Sequence, residues 1–461
     1  MDYETKCLDG DKRLDGFTTW TQKIIDGEVV TPPLHMKKEE RRQYVREVLR
    51  EDHAYRIKSV PEVTEQKFSK LAHSCFSFFR GTALLYYRDY AGIDHALPQV
   101  FAIGDVHPEN FGVMPNARNV PFFGPNDFDE AYFAPFTVDI RRGSTGFWLA
   151  AQENGHSKKH RKKIVRNFVK GYLDGLESFA RDDTARSFQY RLDNSPNLIK
   201  NLLQDSLESR KEFLAEKITQ DSNKFVVSDE IVPHSTHVHA FQAAIDRYIS
   251  ENDISVPTDN KDFFRVRDVA VKKGSGTASL GLERFWILIE GESDKPEDAI
   301  ILEMKQARRS ALTGLVPHSD RNEKDAERIA EQIVQAHDIH LVGADAFYGY
   351  VQHDGKSYLI RERSPFKNDI DLDELSSKTF RKYARVCGKA LAQTHARSDT
   401  HTGLTEEHGT ESAILDSVVP EVFINDMVRF AKSSAHRVLT DHKLFKKDFK
   451  AGAFRFTVTA P

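Results

Sequence analysis

The sequence has few cysteines and no long apolar run, and each shortage excludes a class of protein. Its three cysteines, Cys7, Cys75 and Cys387, lie far apart and none belongs to a CxxC pair. This spacing argues against a disulfide framework and against a cysteine zinc site. No stretch of about 18 apolar residues is present, so no segment is predicted to span a membrane. The first residues, MDYETKCLDGDKR, lack the apolar core of a signal peptide, which predicts a cytoplasmic protein.

Neither sign of charge is in large excess. The 66 basic and 70 acidic side chains give a formal net charge of −4. Proteins that coat DNA or RNA usually carry a basic excess, so we do not expect a nucleic-acid partner. Because no long apolar run is present, we do not expect a membrane partner either. Hydrophobic residues make up 39% and charged residues 30% of the 461 positions, which is typical of a globular chain with a sizeable core.

Helical and strand patterns alternate along the chain. A strongly charged helical pattern covers residues 37–57, and a second helical pattern, rich in Phe, covers residues 64–91. An apolar run at 97–104 predicts a short strand. A helical region follows over 138–217, with breaks expected near 154–156 and 194–196. Between residues 264 and 352 come short runs typical of strands, such as RVRDVAV, RFWILIE and AIILEMK, with one helix expected at about 322–336. From residue 372 onward the pattern is helical again, which predicts an α+β fold.

Two segments place carboxylates directly after short apolar runs. They are GDVHPEN, from Gly104 to Asn110, and NDFDE, from Asn126 to Glu130. Asp105, Asn110, Asp127 and Asp129 offer the hard oxygen atoms that suit Mg²⁺ better than zinc. Ordinary turns also use Asp and Asn beside Gly and Pro. Two such segments about 20 residues apart favour a metal and phosphate site over two unrelated turns.

A glycine-rich segment, KKGSGTASLG, ends at Gly281 and precedes two predicted strands, the second of which carries Lys305 in LEMKQA. Backbone N–H groups of such turns can approach phosphate oxygens, and a lysine on a following strand can reach the same phosphates. A hairpin turn and an edge-strand lysine facing solvent are the plainer interpretations. Farther on, Arg361, Arg363 and Lys367 form a basic segment, for which a solvated turn is preferred over a site for an anionic substrate or a nucleotide.

Together these motifs resemble a known family. GDVHPEN followed by NDFDEA is similar to the catalytic and metal-binding loops of the aminoglycoside-phosphotransferase branch of the protein-kinase-like superfamily. Residues from about 64 to 440 resemble the bacterial family catalogued as domain of unknown function 2252. The further motifs that carry this resemblance are, in chain order, FSFFRG, VDIRR, GTASLG, LEMKQA and CGKALAQTHARS. The resemblance implies a two-lobed protein-kinase-like fold with a mainly helical lobe and a smaller β-rich lobe.

The motif order implies that this kinase-like fold is circularly permuted. The loops that hold Asp105 and Asp127 precede the glycine-rich segment and Lys305, whereas kinases have the opposite order. Permutation is tolerated where chain ends lie close together at the surface. The resulting division predicts an N-terminal helical extension over residues 1–63 and a helical lobe with the catalytic and metal loops over 64–255. A β-rich nucleotide-binding lobe is expected over 256–365, and C-terminal helices over 366–461 would complete the helical lobe.

The resemblance also implies roles for individual residues, in an enzyme that uses ATP and Mg²⁺. Asp105 would be the catalytic base, Asn110 and Asp127 would hold the metal, and Asp129 would assist the metal or bond locally. Asp139 would brace the catalytic loop from the next helix. The nucleotide would be contacted by the glycine-rich segment and by a lysine paired with a helix glutamate, for which Glu327 is preferred to Glu331. These nucleotide-binding residues are Gly276, Ser279, Gly281, Lys305 and Glu327.

The expected function is ATP- and Mg²⁺-dependent phosphotransfer to an unknown small-molecule or protein acceptor. The same residues would support transfer of AMP if ATP bound in the reverse direction. A catalytically inactive nucleotide sensor or scaffold is the main alternative. A metallophosphatase is the weaker one, because Asp105 and His107 have the Asp-x-His spacing of two-metal sites but no Gly-Asn-His sequence follows.

Overall fold

A computed structural model describes residues 10–28, 33–207, 210–219, 224–256, 258–274, 280–316, 329–343, 345–366, 368–398 and 409–454. The fold is mixed α/β. Its helices are α1 Gly10–Ile25, α2 Lys38–Asp52, α3 Ala54–Ser59, α4 Pro61–His73, α5 Cys75–Gly81, α6 Ala83–Arg88, α7 Thr137–Glu153, α8 Lys158–Asp182, α9 Asn197–Asp205, α10 Arg210–Ala215, α11 Val238–Glu251, α12 Ile329–His340, α13 Ser377–Ala396, α14 Thr410–Asp416 and α15 Pro420–Lys450. Its strands are β1 Gln99–Ala102, β2 Phe111–Pro115, β3 Pro121–Pro125, β4 Tyr132–Pro135, β5 Ile231–Pro233, β6 Val266–Lys272, β7 Arg284–Ile289, β8 Ile300–Gln306, β9 Gly349–His353, β10 Lys356–Glu362 and β11 Asn368–Asp369.

The largest sheet is antiparallel and has the strand order β5-β6-β7-β8-β10-β9. Alternate residues of β8 point to opposite faces of the sheet. Leu302 and Met304 pack in an apolar cluster with Phe241 of α11, whereas Glu303 and Lys305 line a cavity on the other face. Because β8 lies between β7 and β10, Lys305 is not on an edge strand. The sheet begins at β5 and is covered by α11, both of which precede residue 256.

The helical part is built on the close packing of α8 against α13. Two glycines permit this approach. A Cβ atom added at Gly171 would lie 2.2 Å from the carbonyl oxygen of Arg385, and one added at Gly388 would lie 2.1 Å from that of Phe168. Any larger residue at either position would force the helices apart.

Two small sheets flank the carboxylate segments. Strand β1 pairs with β4, and β2 lies between β11 and β3. The expected strand at 97–104 is therefore present as β1, but the sequence patterns did not predict β2, β3 or β4, each of which has only four or five residues.

Several helix boundaries differ from the sequence prediction. The expected break near 194–196 is much longer, since α8 ends at Asp182 and α9 begins at Asn197. The helix expected at about 322–336 is observed as α12, which extends to His340, and residues before 329 lie outside the described part of the chain. In the part that the structure describes, no helix is both long and apolar enough to cross a bilayer.

A buried arginine joins the N-terminal helices to the end of the chain. Arg41 on α2 is 1% exposed. Its Nη1 and Nη2 atoms donate to Asp89 at 2.6 Å, and its Nε and Nη2 atoms donate to Asp441 of α15 at 2.9 and 2.6 Å. Planar guanidinium groups suit such paired contacts with two carboxylates.

We predict that Arg41→Met destabilises the protein by about 3–5 kcal/mol, because it leaves two buried carboxylates without their cation. The control is Arg166→Met, which breaks the exposed pair with Glu421 and is expected to cost at most about 1 kcal/mol. Urea unfolding of both variants beside the wild type measures the difference. Equal effects of the two substitutions would contradict the assigned role of Arg41.

Candidate functional site

A cavity of about 320 Å³ lies where the large sheet meets the two carboxylate segments. Alternation along the strands brings side chains of β6, β7, β8 and β10 to the same wall. The remaining lining comes mainly from the segments around Asn110 and Asp127. The sheet wall contains Lys272, Arg284, Trp286, Glu303, Lys305, Leu359, Arg361 and Arg363, and the other lining residues are Arg80, Glu109, Asn110, Asn126, Asp127, Phe128, Asp129, Tyr348 and Asp369.

The two groups of lining residues carry opposite charge. The sheet wall contributes five cationic side chains and one carboxylate, whereas the other residues contribute four carboxylates and one cation, Arg80. Such a division suits a ligand that presents anionic groups to the sheet and a cation to the opposite side.

The 104–110 segment is fixed by a buried aspartate. Asp139 on α7 is fully buried and accepts the backbone N–H groups of Ile103 at 2.7 Å and Gly104 at 2.9 Å. His395, at the end of α13, lies 3.0 Å from the same carboxylate. Gly104 has a φ of 82°, and a Cβ atom there would lie 1.9 Å from the carbonyl oxygen of Glu130. The predicted bracing contact of Asp139 is therefore confirmed.

Asp105 is not among the residues that line the cavity. It is 8% exposed and accepts hydrogen bonds from Nε and Nη2 of Arg142 at 3.0 and 2.9 Å. Burial raises the pKa of the Asp105 carboxyl, and Arg142 opposes that shift. Asn110 does line the cavity, and its amide nitrogen donates to the backbone oxygen of Asp105 at 2.8 Å. His107 is buried, and its ring packs edge-on against Phe76, away from the cavity lining.

The NDFDE segment connects the small sheets to the large one. Its Asn126 N–H donates to the carbonyl oxygen of Asn110 at 3.2 Å, and Phe128 stacks on His340 of α12. The Asp129 carboxylate forms an ion pair and hydrogen bond with Nζ of Lys305. Burial opposes ionisation of Asp129, but Lys305 outweighs it and lowers the pKa of that carboxyl. Residues 176 positions apart in the sequence thus meet at one site.

The basic segment is not a solvated turn, as the sequence suggested for Arg361 and Arg363, because Arg361 belongs to β10 and Arg363 directly follows that strand. Both line the cavity. Arg361 donates to the Glu303 carboxylate from Nε at 3.1 Å and from Nη2 at 2.9 Å. Although burial favours the neutral acid, Arg361 and its cationic neighbours hold the pKa of Glu303 below its usual range. Lys367 lies outside the described residues.

The other predicted nucleotide-binding residues have mixed outcomes. Gly276, Ser279 and Glu327 lie outside the described residues. Gly281 has a φ of 90° and lies against Arg56 of α3, outside the cavity lining. The partner described for Lys305 is Asp129 rather than a helix glutamate.

Sequence reasoning missed Arg142, Arg284 and Glu303. For two of them a signal was present, since Arg284 and Glu303 alternate with cavity-lining residues on their strands. Arg142 lies one helical turn from Asp139. The only sequence signal for it was its place in the VDIRR motif, which did not indicate a contact with Asp105.

Oxygen donors suitable for a magnesium ion are few. Among the described residues, no group of three or more His, Cys, Asp or Glu side chains is arranged to hold a metal ion. Asp127 and Asn110 both line the cavity. Mg²⁺ is commonly held by one or two protein oxygens together with water and substrate phosphates, so this donor set fits magnesium bound with a nucleotide better than a metal bound by protein alone.

We predict that Glu130, next to Asp129, makes stability depend on pH. Its carboxylate bonds to Arg308 and accepts the N–H of Ala311 at 2.6 Å. Burial raises its pKa from 4.5 to about 7, so this side chain stabilises the fold fully below pH 4.5 and loses that contribution as the pH rises through about 7. From pH 5 to pH 8, the stability of the wild type relative to Glu130→Gln should fall, by up to about 3 kcal/mol. Unfolding of both proteins at the two pH values measures this, and a constant difference would contradict it.

Comparison with known proteins connects the chain to a family. The family model described as an uncharacterized protein conserved in bacteria (DUF2252) matches residues 56–448. Searches of curated proteins and of solved structures found no match. The matched region includes both carboxylate segments, Lys305 and the whole large sheet. Because the match covers most of the sequence, the chain belongs to the DUF2252 family.

Proposed function

We propose that this protein is an ATP- and Mg²⁺-dependent phosphotransferase with a circularly permuted kinase-like fold. The observation that carries the proposal is the ion pair between Asp129 and Lys305. It brings the NDFDE segment against a strand lysine, in a cavity that Asn110 and Asp127 also line. In protein kinases a metal-binding aspartate, an asparagine and a strand lysine likewise surround the nucleotide phosphates.

The order of strands around the glycine-rich segment supports the same proposal. In protein kinases a glycine-rich loop covers the phosphates, and the phosphate-binding lysine is on the third strand. Here the glycine-rich segment lies between β6 and β7, and Lys305 is on β8, the third strand of the antiparallel series β6-β7-β8. Helix α12 follows β8 in the sequence and packs against β9 and β10.

The charge distribution supports a nucleotide polyphosphate as the ligand. Phosphate oxygens would contact Lys305 and the other cations of the sheet wall. Asn110 and Asp127 would hold Mg²⁺, which when bound neutralises charge on the phosphates. Asp129 would keep Lys305 in position.

Asp105 is proposed as the base that orients the acceptor hydroxyl and takes its proton. Arg142 holds one carboxylate oxygen of Asp105, and the bracing of residues 103–104 by Asp139 fixes the backbone before it. The raised pKa of Asp105 suits proton acceptance better than the pKa of an exposed aspartate, because proton transfer is most efficient near the working pH.

We predict that calorimetric titration with ATP and Mg²⁺ detects one site, and that Asp127→Asn and Lys305→Met each weaken it about tenfold or more. Each substitution removes a charge that the metal or the phosphates contact. Matched controls are Asp426→Asn and Lys170→Met. Their exposed side chains pair, within the described part of the chain, with Arg429 and Asp174 of their own helices.

Full-affinity binding by both site variants would place the nucleotide elsewhere and contradict the proposal. Failure of the folded wild type to bind ATP with Mg²⁺ or Mn²⁺ would overturn it entirely.

We predict a different result for Asp105→Asn. This variant should keep ATP binding within about threefold, because Asp105 is not in the cavity lining. It should lose about 10²–10⁴-fold in turnover of labelled ATP, the usual contribution of general base catalysis. A wild type that binds ATP but shows no turnover with water or any acceptor would favour the nucleotide sensor.

A further inference from the structure

The two carboxylate oxygens of Asp105 face different groups. Oδ1 accepts both hydrogen bonds from Arg142, at 3.0 and 2.9 Å. Oδ2 lies 3.7 Å from Nε2 of His107, which is two residues farther along the chain and 1% exposed. Because both bonds from Arg142 end on Oδ1, the direction of Oδ2 depends on its other neighbours, of which His107 is one.

A backbone contact fixes which nitrogen of His107 carries the ring hydrogen. The N–H group of Glu109 donates to Nδ1 of His107 at 3.3 Å. A backbone N–H can only donate, so Nδ1 holds a lone pair and the hydrogen of the imidazole is on Nε2. The nitrogen that lies 3.7 Å from Oδ2 of Asp105 is therefore a donor.

Packing holds the imidazole ring of His107 in place. The ring of Phe76 lies edge-on against it, with the ring centroids 5.8 Å apart. Helix α7 approaches closely at Gly146, where an added Cβ atom would lie 2.9 Å from the Cβ atom of His107. Because α7 also carries Arg142, one helix positions both of these neighbours of Asp105.

A base must present an oxygen with a free lone pair to the acceptor hydroxyl. Oδ1 of Asp105 already accepts two N–H groups, so Oδ2 is the oxygen left for this task. The distance of 3.7 Å between Oδ2 and His107 is longer than a hydrogen bond, and catalytic contacts are often this long before a substrate binds. A donor on one side of Oδ2 fixes its direction and leaves a second lone pair for the hydroxyl.

We propose that His107 is a positioning residue for Asp105, whose Oδ2 it holds through Nε2–H so that the free lone pair of this oxygen faces the acceptor hydroxyl. The inference rests on the proposed function, in which Asp105 is the base. As the hydroxyl oxygen bonds to the transferred phosphorus, the bond between that phosphorus and its leaving oxygen breaks, and the hydroxyl proton passes to Oδ2. His107 keeps its own proton throughout.

The other role open to His107 is to brace the loop through Glu109, and two substitutions separate the roles. His107→Asn places an amide oxygen near the position of Nδ1 and has no group at the position of Nε2. His107→Gln places an amide nitrogen near the position of Nε2 and has no acceptor at that of Nδ1. The first variant keeps the contact with Glu109, and the second keeps the donor to Asp105.

We expect His107→Asn to lower the turnover of labelled ATP about 10–100-fold, measured with Mg²⁺ and with water as the acceptor. His107→Gln should stay within about threefold of the wild type, and both variants should bind ATP within about threefold, because His107 is outside the cavity lining. The control His436→Asn, exposed on α15, should change neither quantity. In the Asp105→Asn background, His107→Asn should cost less than about twofold, since no carboxylate base remains to be positioned.

The opposite order, with His107→Gln impaired and His107→Asn active, would overturn the proposal and assign His107 to bracing the loop. Equal losses in the two variants, or an undiminished loss from His107→Asn in the Asp105→Asn background, would also overturn it. These results leave the proposed function intact. A wild type that fails to bind ATP or to turn it over, or full turnover by Asp105→Asn, removes the catalytic role of Asp105 and this inference together. Circular dichroism and melting temperature show whether each variant is folded, and if His107→Asn is not, the turnover of His107→Gln decides between the two roles.

Discussion

The ion pair between Asp129 and Lys305 connects the two halves of the candidate site. Asp129 follows β3 in the sequence and lies between two small sheets, whereas Lys305 is on an interior strand of the large sheet. An ion pair between largely buried groups is stabilising only when desolvation is offset by good geometry and further charges. Cations of the sheet wall and carboxylates of the other lining residues supply those charges. The ion pair therefore depends on the same arrangement of cations on the sheet wall and carboxylates on the opposite side that would favour nucleotide binding.

The backbone around the site is held by buried polar contacts rather than by long secondary structure. Residues 103–104 bond to Asp139, and the side chain of Asn110 bonds to the backbone of Asp105. Arg142 fixes Asp105 from the same helix that carries Asp139. Because every one of these partners is buried, the carboxylate segments are fixed before any ligand arrives, which reduces the entropy that binding would cost. Preorganised polar groups are a common feature of catalytic sites.

Much of the site could be predicted from the sequence because short motifs place oxygen donors at fixed spacing. Asn110, Asp127, Asp129 and Lys305 do line one cavity, and Asp139 does brace the 104–110 segment. The absence of Asp105 from the cavity lining could not be predicted, because its position depends on the buried contact with Arg142. Strands β2 to β4 were missed because strands of four or five residues carry too little periodicity.

The basic segment was misjudged for a related reason. Its composition resembles a solvated turn, and only strand pairing shows that Arg361 lies opposite Glu303. Contacts between strands far apart in sequence decide which charged side chains are buried. Hydrophobic periodicity is a local pattern and does not predict such contacts. Glu303 was missed for a different reason: its spacing of two residues from Lys305 on β8 placed it on the same face of the strand, and that signal was overlooked.

A crystal structure of the protein with Mg²⁺ and a non-hydrolysable ATP analogue would test the central claim most directly. We predict phosphate density in contact with Lys305 and metal density in contact with Asp127 and Asn110, within the cavity that these residues line. Nucleotide density at any other surface, or an ordered cavity that contains only water at saturating ligand, would contradict it.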